Sequence, residues 1–299
     1  MSRASAHVYF RWVSHSFGRG GRHEPGYKVG AVSSASLPDD LAVACAARTE
    51  LNKCVFEYLT VATSTNDHAV LLAKSGAVDG TTVVAGSQTS GRGRRGHTWH
   101  SPSDVGLYMS VILKGEPSPT IPLLAGVAVA ESIQRQLGLP VELKWPNDVL
   151  VSNRCGSVDR SFLKVAGILA ETLPVGAGEG VVLGLGVNIR EHSFPPELTE
   201  VAISLETAVG QPVERGSLCA EILVQLLNWR ACVETFGSER VINRWRNLSP
   251  CSCGATVSWE VRGTRCQGVT AGIDDSGALL VDCEGRRERV VGGELMWEL

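Results

Sequence analysis

The sequence predicts an α+β fold: helices packed on a mixed or mostly antiparallel sheet, followed by a small β-barrel. Three observations carry this. Helical and strand-like apolar patterns interleave up to residue 249. From Pro250 onward only short β segments remain, punctuated by Gly and Asp-Ser-Gly turns. And 43% of the 299 residues are hydrophobic, enough to bury a substantial core.

Taken in order, residues 1–36 read as a disordered extension or an over-long start. The first 23 residues hold four arginines and no acid, superficially like an organelle transit peptide, while Arg11 interrupts any secretory apolar core. Order is expected from Leu37, with Pro38-Asp39-Asp40 opening a helix and a strand following by Leu59. "STNDHAVLLAKSGA" has a Ser/Thr/Asn/Asp cluster ahead of an apolar face and closes at Gly76, as a capped helix does. "TTVVAGSQ" and "GLYMSVILK" are β-rich strands on either side of a Gly/Arg stretch. Pro122 to Leu137 repeats apolar residues at three and four spacing and stops at Gly138, a core helix. "VELKW", "DVLV", "KVAGILAETL" and "GVVLGLGVNI" follow as strands, then a long helical pattern from Gly216 to Phe236. The expected domains are therefore 37–249 and 250–299, the second a barrel.

Composition narrows the function classes. With 28 Lys+Arg against 31 Asp+Glu and a pI near 6.2, no overall basic field draws the chain to nucleic acid or to anionic membranes. No apolar run approaches the ~20 residues of a membrane span, so a soluble, cytoplasmic protein is expected. The nine cysteines form no CxxC, which argues for a reducing compartment and thiols used as small hydrophobes. Cys251 and Cys253 in "PCSCG" lack a partner pair, so no metal site is assigned.

Any cationic function must then be local, and "SGRGRRGHTWHS" (90–101) is where it concentrates. No carboxylate occurs between Asp79 and Asp104, so Arg92, Arg94 and Arg95 have no nearby counter-ion in sequence, and the interleaved glycines let backbone N–H groups approach an anion. The spacing is neither a P-loop nor a Rossmann turn. An RNA-contacting tail is the rival, but such tails are repetitive, and this single copy lies between two core strands. A loop that orders over a small anion, with Trp99 as a stacking lid, fits better. "KWPND" (144–148) adds Lys144 and Trp145 to what a plain turn at Pro146, Asn147 and Asp148 requires, and Lys164 heads an apolar strand.

Together, "STN" at 64–66, "SQTSGRGRRGHTW" at 87–99, "KWPND" at 144–148, "KVAGIL" at 164–169 and "GLGVNI" at 184–189 resemble the biotin protein ligases, the biotin–[acetyl-CoA-carboxylase] ligase family. "AGIDDSGALLVD" and "VVGGEL" look like that family's C-terminal SH3-like barrel, so the resemblance spans about residues 55 to 299. It implies a biotin/lipoate ligase-like catalytic domain that forms biotinyl-5′-AMP from biotin and MgATP. A lysine of a biotin carboxyl carrier protein then takes up the biotinyl group. Repressor members carry a winged helix, which the "FGRGGRHEPGYKVG" region does not resemble, so no DNA binding is expected; a homodimer is left open.

On this resemblance Ser64, Thr65, Asn66 and Gln88 would bind the biotin end, with helix capping the alternative for Ser64 or Thr65. Arg92, Gly93 and Arg94 would hold carboxylate and phosphate, and Lys164 would be the principal catalytic cation. Arg95, Trp99 and Lys144 would contact the adenylate, and Asn188 with Asn147 would read the adenine edge. Asp148 would orient a lysine or take the acceptor's proton, with turn capping as its alternative. Two departures stand out: His97 where family loops often carry arginine, and a polar insertion at 152–163. A lipoate-type ligase is the enzymatic rival, and an RNA- or phosphate-binding module the non-enzymatic one.

Overall fold

The computed structural model describes residues 34–35, 37–153, 161–191, 194–261, 264–293 and 295–298. The extension read at 1–36 lies outside these, apart from Ser34 and Ala35; so does the heart of the polar insertion, residues 154–160.

The chain runs β1 (Ser34–Ala35), α1 (Asp39–Ala46), β2 (Phe56–Ala62), α2 (Thr65–Lys74), β3 (Thr82–Gln88), β4 (Gly106–Lys114), α3 (Ile121–Leu137), β5 (Val141–Lys144) and β6 (Asp148–Asn153). It continues through β7 (Ser161–Thr172), β8 (Gly180–Asn188), α4 (Leu205–Val209), α5 (Arg215–Phe236) and α6 (Glu239–Leu248). These strands form one sheet in the order β1-β2-β3-β4-β8-β7-β6-β5. β2 and β3, joined through α2, are parallel, and the other neighbours are antiparallel. The mixed sheet is as expected, but pairing already begins at Ser34 opposite Leu59, ahead of Leu37.

Alternation along the strands divides the core between the two sheet faces. On one face Leu107, Met109, Val111 and Leu113 of β4 join α1, α3, α5 and α6 in the larger core. On the other, Ile112 and Val182 pack with Ala69 and Ala73 of α2. Each fully buried aliphatic side chain contributes about 1.5–3 kcal/mol, so the face of α3, with Leu123, Val127 and Ile133 buried, is a principal anchor. α3 starts with Pro122 in its first turn and stops at Gly138, whose φ of +63° is left-handed, as its sequence signals required. α6 was not foreseen. Val241, Ile242, Trp245 and Leu248 are buried on one face, but this helix is short and rich in arginine.

The C-terminal residues form a second, five-stranded antiparallel sheet, the small SH3-like unit: β9 (Cys253–Val261), β10 (Thr264–Ile273), β11 (Leu279–Cys283), β12 (Arg286–Val290) and β13 (Met296–Glu298), in the order β12-β11-β10-β9-β13. It is fastened to the β5–β6 turn and to α6 at named points. Trp145 Nε1 donates to the Gly277 carbonyl at 2.9 Å, and Arg246 Nη2 donates to the Ile273 carbonyl at 2.7 Å. Gly277 has φ +86°, and a Cβ there would meet Leu123 Cδ1 at 2.6 Å, so this junction requires glycine. Among the described residues, no helix is long and apolar enough to cross a membrane.

Candidate active site

The Gly/Arg stretch is an ordered loop folded on itself between β3 and β4. Trp99 N donates to the Gly91 carbonyl at 2.9 Å and Gly93 N to the His97 carbonyl at 2.7 Å, while Ser90 N donates to the Thr63 carbonyl at 2.9 Å and so sews the loop to the end of β2. A Cβ at position 91 would stand 2.4 Å from the Trp99 carbonyl oxygen. Here glycine serves loop closure. The backbone N–H of Gly93 is likewise engaged inside the loop, by the His97 carbonyl.

The loop covers a cavity of about 300 Å³, a size suited to a small-molecule substrate. Ser64, Thr65, Asn66, Gln88, Arg92, Gly93, Arg94, Arg95, Trp99, Lys144, Asn147, Asp148 and Lys164 all line it. Of the sequence-predicted site residues only Asn188 does not. Its amide nitrogen faces the carbonyls of Lys164 and Ile203, each at 3.4 Å, so it braces the backbone of Lys164. Asn147 is similarly committed: its Oδ1 accepts from Arg94 Nη1 at 3.3 Å and its Nδ2 donates to the Ile168 carbonyl at 2.8 Å.

At one end of the cavity, uncharged polar groups converge. Ser64 occupies the N-cap position of α2 without making a side-chain capping bond, which removes helix capping as the reason for its hydroxyl. Thr65 donates to Gln88 Oε1 from its backbone nitrogen at 2.8 Å and from Oγ1 at 3.2 Å. Asn66 Oδ1 accepts from Ser110 Oγ at 2.6 Å. Ser64, Thr65 and Asn66 are only 3–4% exposed, and buried polar groups of this kind are kept for the bonds they make.

Next to them lies a glycine cradle. A Cβ at Gly186 would meet Trp99 Cε2 at 2.4 Å, one at Gly167 would meet Trp99 Cζ3 at 2.9 Å, and one at Gly184 would meet Asn66 Oδ1 at 2.4 Å. The indole therefore lies flat against two strands that carry no side chain there. Among the described residues its Nε1 is buried without a hydrogen-bond partner, a donor that an acceptor on a ligand would satisfy.

The other end is cationic. Arg94, Arg95, Lys144 and Lys164 line it with Asp148. β6 and β7 are out of step between Val149, opposite Ala166, and Leu150, opposite Lys164; a bulge of this kind re-aims a side chain. Lys164 Nζ stands 2.6 Å from Asp148 Oδ1 and 5.2 Å from the centre of the Trp99 ring. Burial holds Arg94 below the ordinary arginine value, and the adjacent Arg95 lowers it further. Lys144 is also lowered, first by burial, with Asp148 opposing and the Lys164 charge assisting. Crowded cations in a partly dry cleft raise each other's energy, and an anion between them removes that cost.

Two contributions escaped the sequence reading. Arg92, with no carboxylate near it in sequence, reaches Asp67 Oδ1 at 2.9 Å and Glu171 Oε2 at 2.7 Å, so its charge is balanced by two carboxylates from other elements. And β13 supplies Trp297, over which Lys144 Nζ lies 5.9 Å from the ring centre; this strand gave no sequence signal linking it to the cavity.

The family model for the biotin/lipoate A/B protein ligase family matches residues 58–188. The chain is 33% identical over 254 residues to the biotin–[acetyl-CoA-carboxylase] ligase of Mycobacterium tuberculosis, covering 78% of this chain and 85% of that protein. It is 31% identical over 245 residues to the bifunctional ligase/repressor BirA of Bacillus subtilis, covering 80% and 72%. Among solved structures, the biotin protein ligase from Aquifex aeolicus in complex with biotin and ATP shares the fold, with a TM-score of 0.70 at 24% identity over 81% of this chain and 98% of that one.

Proposed function

The chain belongs to the biotin/lipoate A/B protein ligase family, and on that premise we propose that it is a biotin protein ligase acting on a biotin carboxyl carrier protein. One observation carries the reading: a single cavity joins a buried neutral polar end to a cationic end, with Lys164 held at the cationic end by Asp148. Biotin has the complementary form, a neutral ureido ring at one end and a carboxylate at the other.

In the first step a biotin carboxylate oxygen bonds to the α-phosphorus of ATP and the bond to pyrophosphate breaks. Two anions must approach each other, and fixed cations where charge accumulates lower such a barrier by several kcal/mol. Lys164 is the point charge best placed for this, with Arg94 beside it and Asp148 fixing its direction. Trp99 covers the reacting groups and excludes water. In the second step the acceptor lysine amine attacks the acyl carbon and AMP leaves; Asp148, engaged with Lys164, serves as its orienter.

Among the described residues no group of three His, Cys, Asp or Glu side chains is placed to hold a metal. With Asp148 on Lys164, the donor set suits a Mg²⁺ carried on phosphate oxygens and water. Bound there, the ion would neutralise charge on the leaving pyrophosphate.

ATP–pyrophosphate exchange tests the reading. Exchange that requires biotin and is abolished in Lys164→Ala supports it. Exchange driven by lipoate and not by biotin would move the chain to the lipoate side of the family, and RNA affinity without any exchange would favour a binding module.

A further inference from the structure

Glu171 has no part in the chemistry above, yet two elements of the site meet on one of its atoms. Its Oε2 accepts from Asn66 Nδ2 and from Arg92 Nη2, both at 2.7 Å. The ion pair alone would count for little, since the Arg92 and Glu171 side chains are 40% and 33% exposed and such pairs are screened. Asn66 alters that balance. It is 3% exposed, Ser110 takes its oxygen, and a buried amide left without its acceptor is costly.

The contacts continue past Asn66. Ser110 Oγ also lies within hydrogen-bond distance of Thr65 Oγ1, at 2.7 Å, and the Thr65 backbone N–H donates to Gln88. Gln88 Nε2 donates to Ser101 Oγ at 2.8 Å, and Ser101 Oγ to the Trp99 carbonyl at 3.0 Å. The series thus leaves the loop at Arg92, passes through the neutral polar end of the cavity, and returns to the same loop at Trp99.

We propose that Glu171 is a positioning residue that makes ring recognition at the start of α2 and seating of the Arg92–Trp99 loop one coupled event. This rests on reading the cavity as a biotin site. A ligand that fixes Thr65, Gln88 and Asn66 then also fixes both ends of the loop, and by reciprocity an ordered loop tightens the ligand. Asp67, the second carboxylate on Arg92, stands on α2 beside Asn66 and ties the loop to that helix by charge, whereas Glu171 also accepts from the buried Asn66 amide and so enters the hydrogen-bonded series itself.

Limited trypsin digestion of the full chain, reading cleavage after Arg94 and Arg95, tests this alongside calorimetric titration with biotin. Saturating biotin should slow cleavage of the wild-type loop about tenfold, within the usual range of coupling between sites. At biotin concentrations that saturate it, Glu171→Ala should show little slowing. Glu171→Gln, whose amide oxygen still accepts from Asn66, should show part of it. Arg92→Ala should lose the protection as fully as Glu171→Ala, and the double variant should lose no more. A residue that merely stabilised the fold would lower the melting temperature and leave the protection intact. Wild-type protection in saturated Glu171→Ala overturns the inference; should that variant not fold, wild-type protection in Glu171→Gln and Arg92→Ala does so. A wild-type chain that binds no biotin overturns the biotin reading itself, and the coupling falls with it.

Discussion

Lys164 Nζ lies 2.6 Å from Asp148 Oδ1, and the two residues come from adjacent strands whose pairing slips by one residue between them. The lysine contributes charge and the aspartate direction, so their removal should differ in size. Lys164→Ala is expected to lower single-turnover adenylate formation by about 10²–10³, the usual cost of losing one electrostatic stabiliser. Asp148→Asn, which leaves the ammonium in place but unguided, should lose about tenfold. Equal losses would mean that Asp148 acts chemically in its own right.

Trp99 rests on glycines, and Gly186→Ala places a methyl group where the indole now sits, 2.4 Å from Cε2. The loop can swing outward more easily than β8 can move, so the fold should survive. The melting temperature is expected to change by no more than a few degrees, while adenylate retention falls about tenfold or more. A variant that melts far earlier would show that the indole is part of the folding core.

His97 is exposed on the same loop and lines the cavity, where an arginine would add a permanent cation. His97→Arg is expected to slow the release of the adenylate, measured by filter retention of labelled intermediate after mixing with unlabelled biotin. Equal release rates would remove this position from any role in retention.

Asp274 closes the β10–β11 turn. Partial burial pushes its carboxyl up, but hydrogen bonds from Ser276, Arg289 and the Ala278 backbone outweigh this and bring it to about 2. The folded value is depressed below the unfolded ~3.9, so the stabilisation is complete above about pH 4 and is lost as the pH falls toward 2. Because the group is partly solvated, Asp274→Asn should cost only about 1 kcal/mol at pH 7 in urea denaturation, a difference that shrinks below pH 4. A constant difference across that range would assign the loss to packing instead.

Much of this site was legible because its parts lie in short stretches whose residue types exceed what local structure needs. Lys144 and Trp145 are surplus to a Pro-Asn-Asp turn, and the arginines of the loop have no acid near them in sequence. Balance in space was not legible: Arg92 finds Glu171 79 positions away, across a sheet order in which β4 precedes β8 and β7. A weak signal existed, since Gly167, Leu169 and Glu171 alternate on one face of β7, the first two against the cavity. The main-chain partners that Asn188 and Asn147 take up in space were not legible either, since they come from other segments of the chain. Trp297 could not be placed, because nothing within β13 encodes its approach to Lys144.

The central claim, biotin activation at Lys164 followed by transfer to a carrier protein, is tested most directly by incubating the chain with ATP, Mg²⁺, labelled biotin and a purified carrier domain, and measuring the carrier's intact mass. The expected result is an ATP-dependent gain of one biotinyl group on a single lysine, absent with Lys164→Ala. A carrier left unmodified while the enzyme still binds biotin and ATP, or one equally modified by Lys164→Ala, would contradict it.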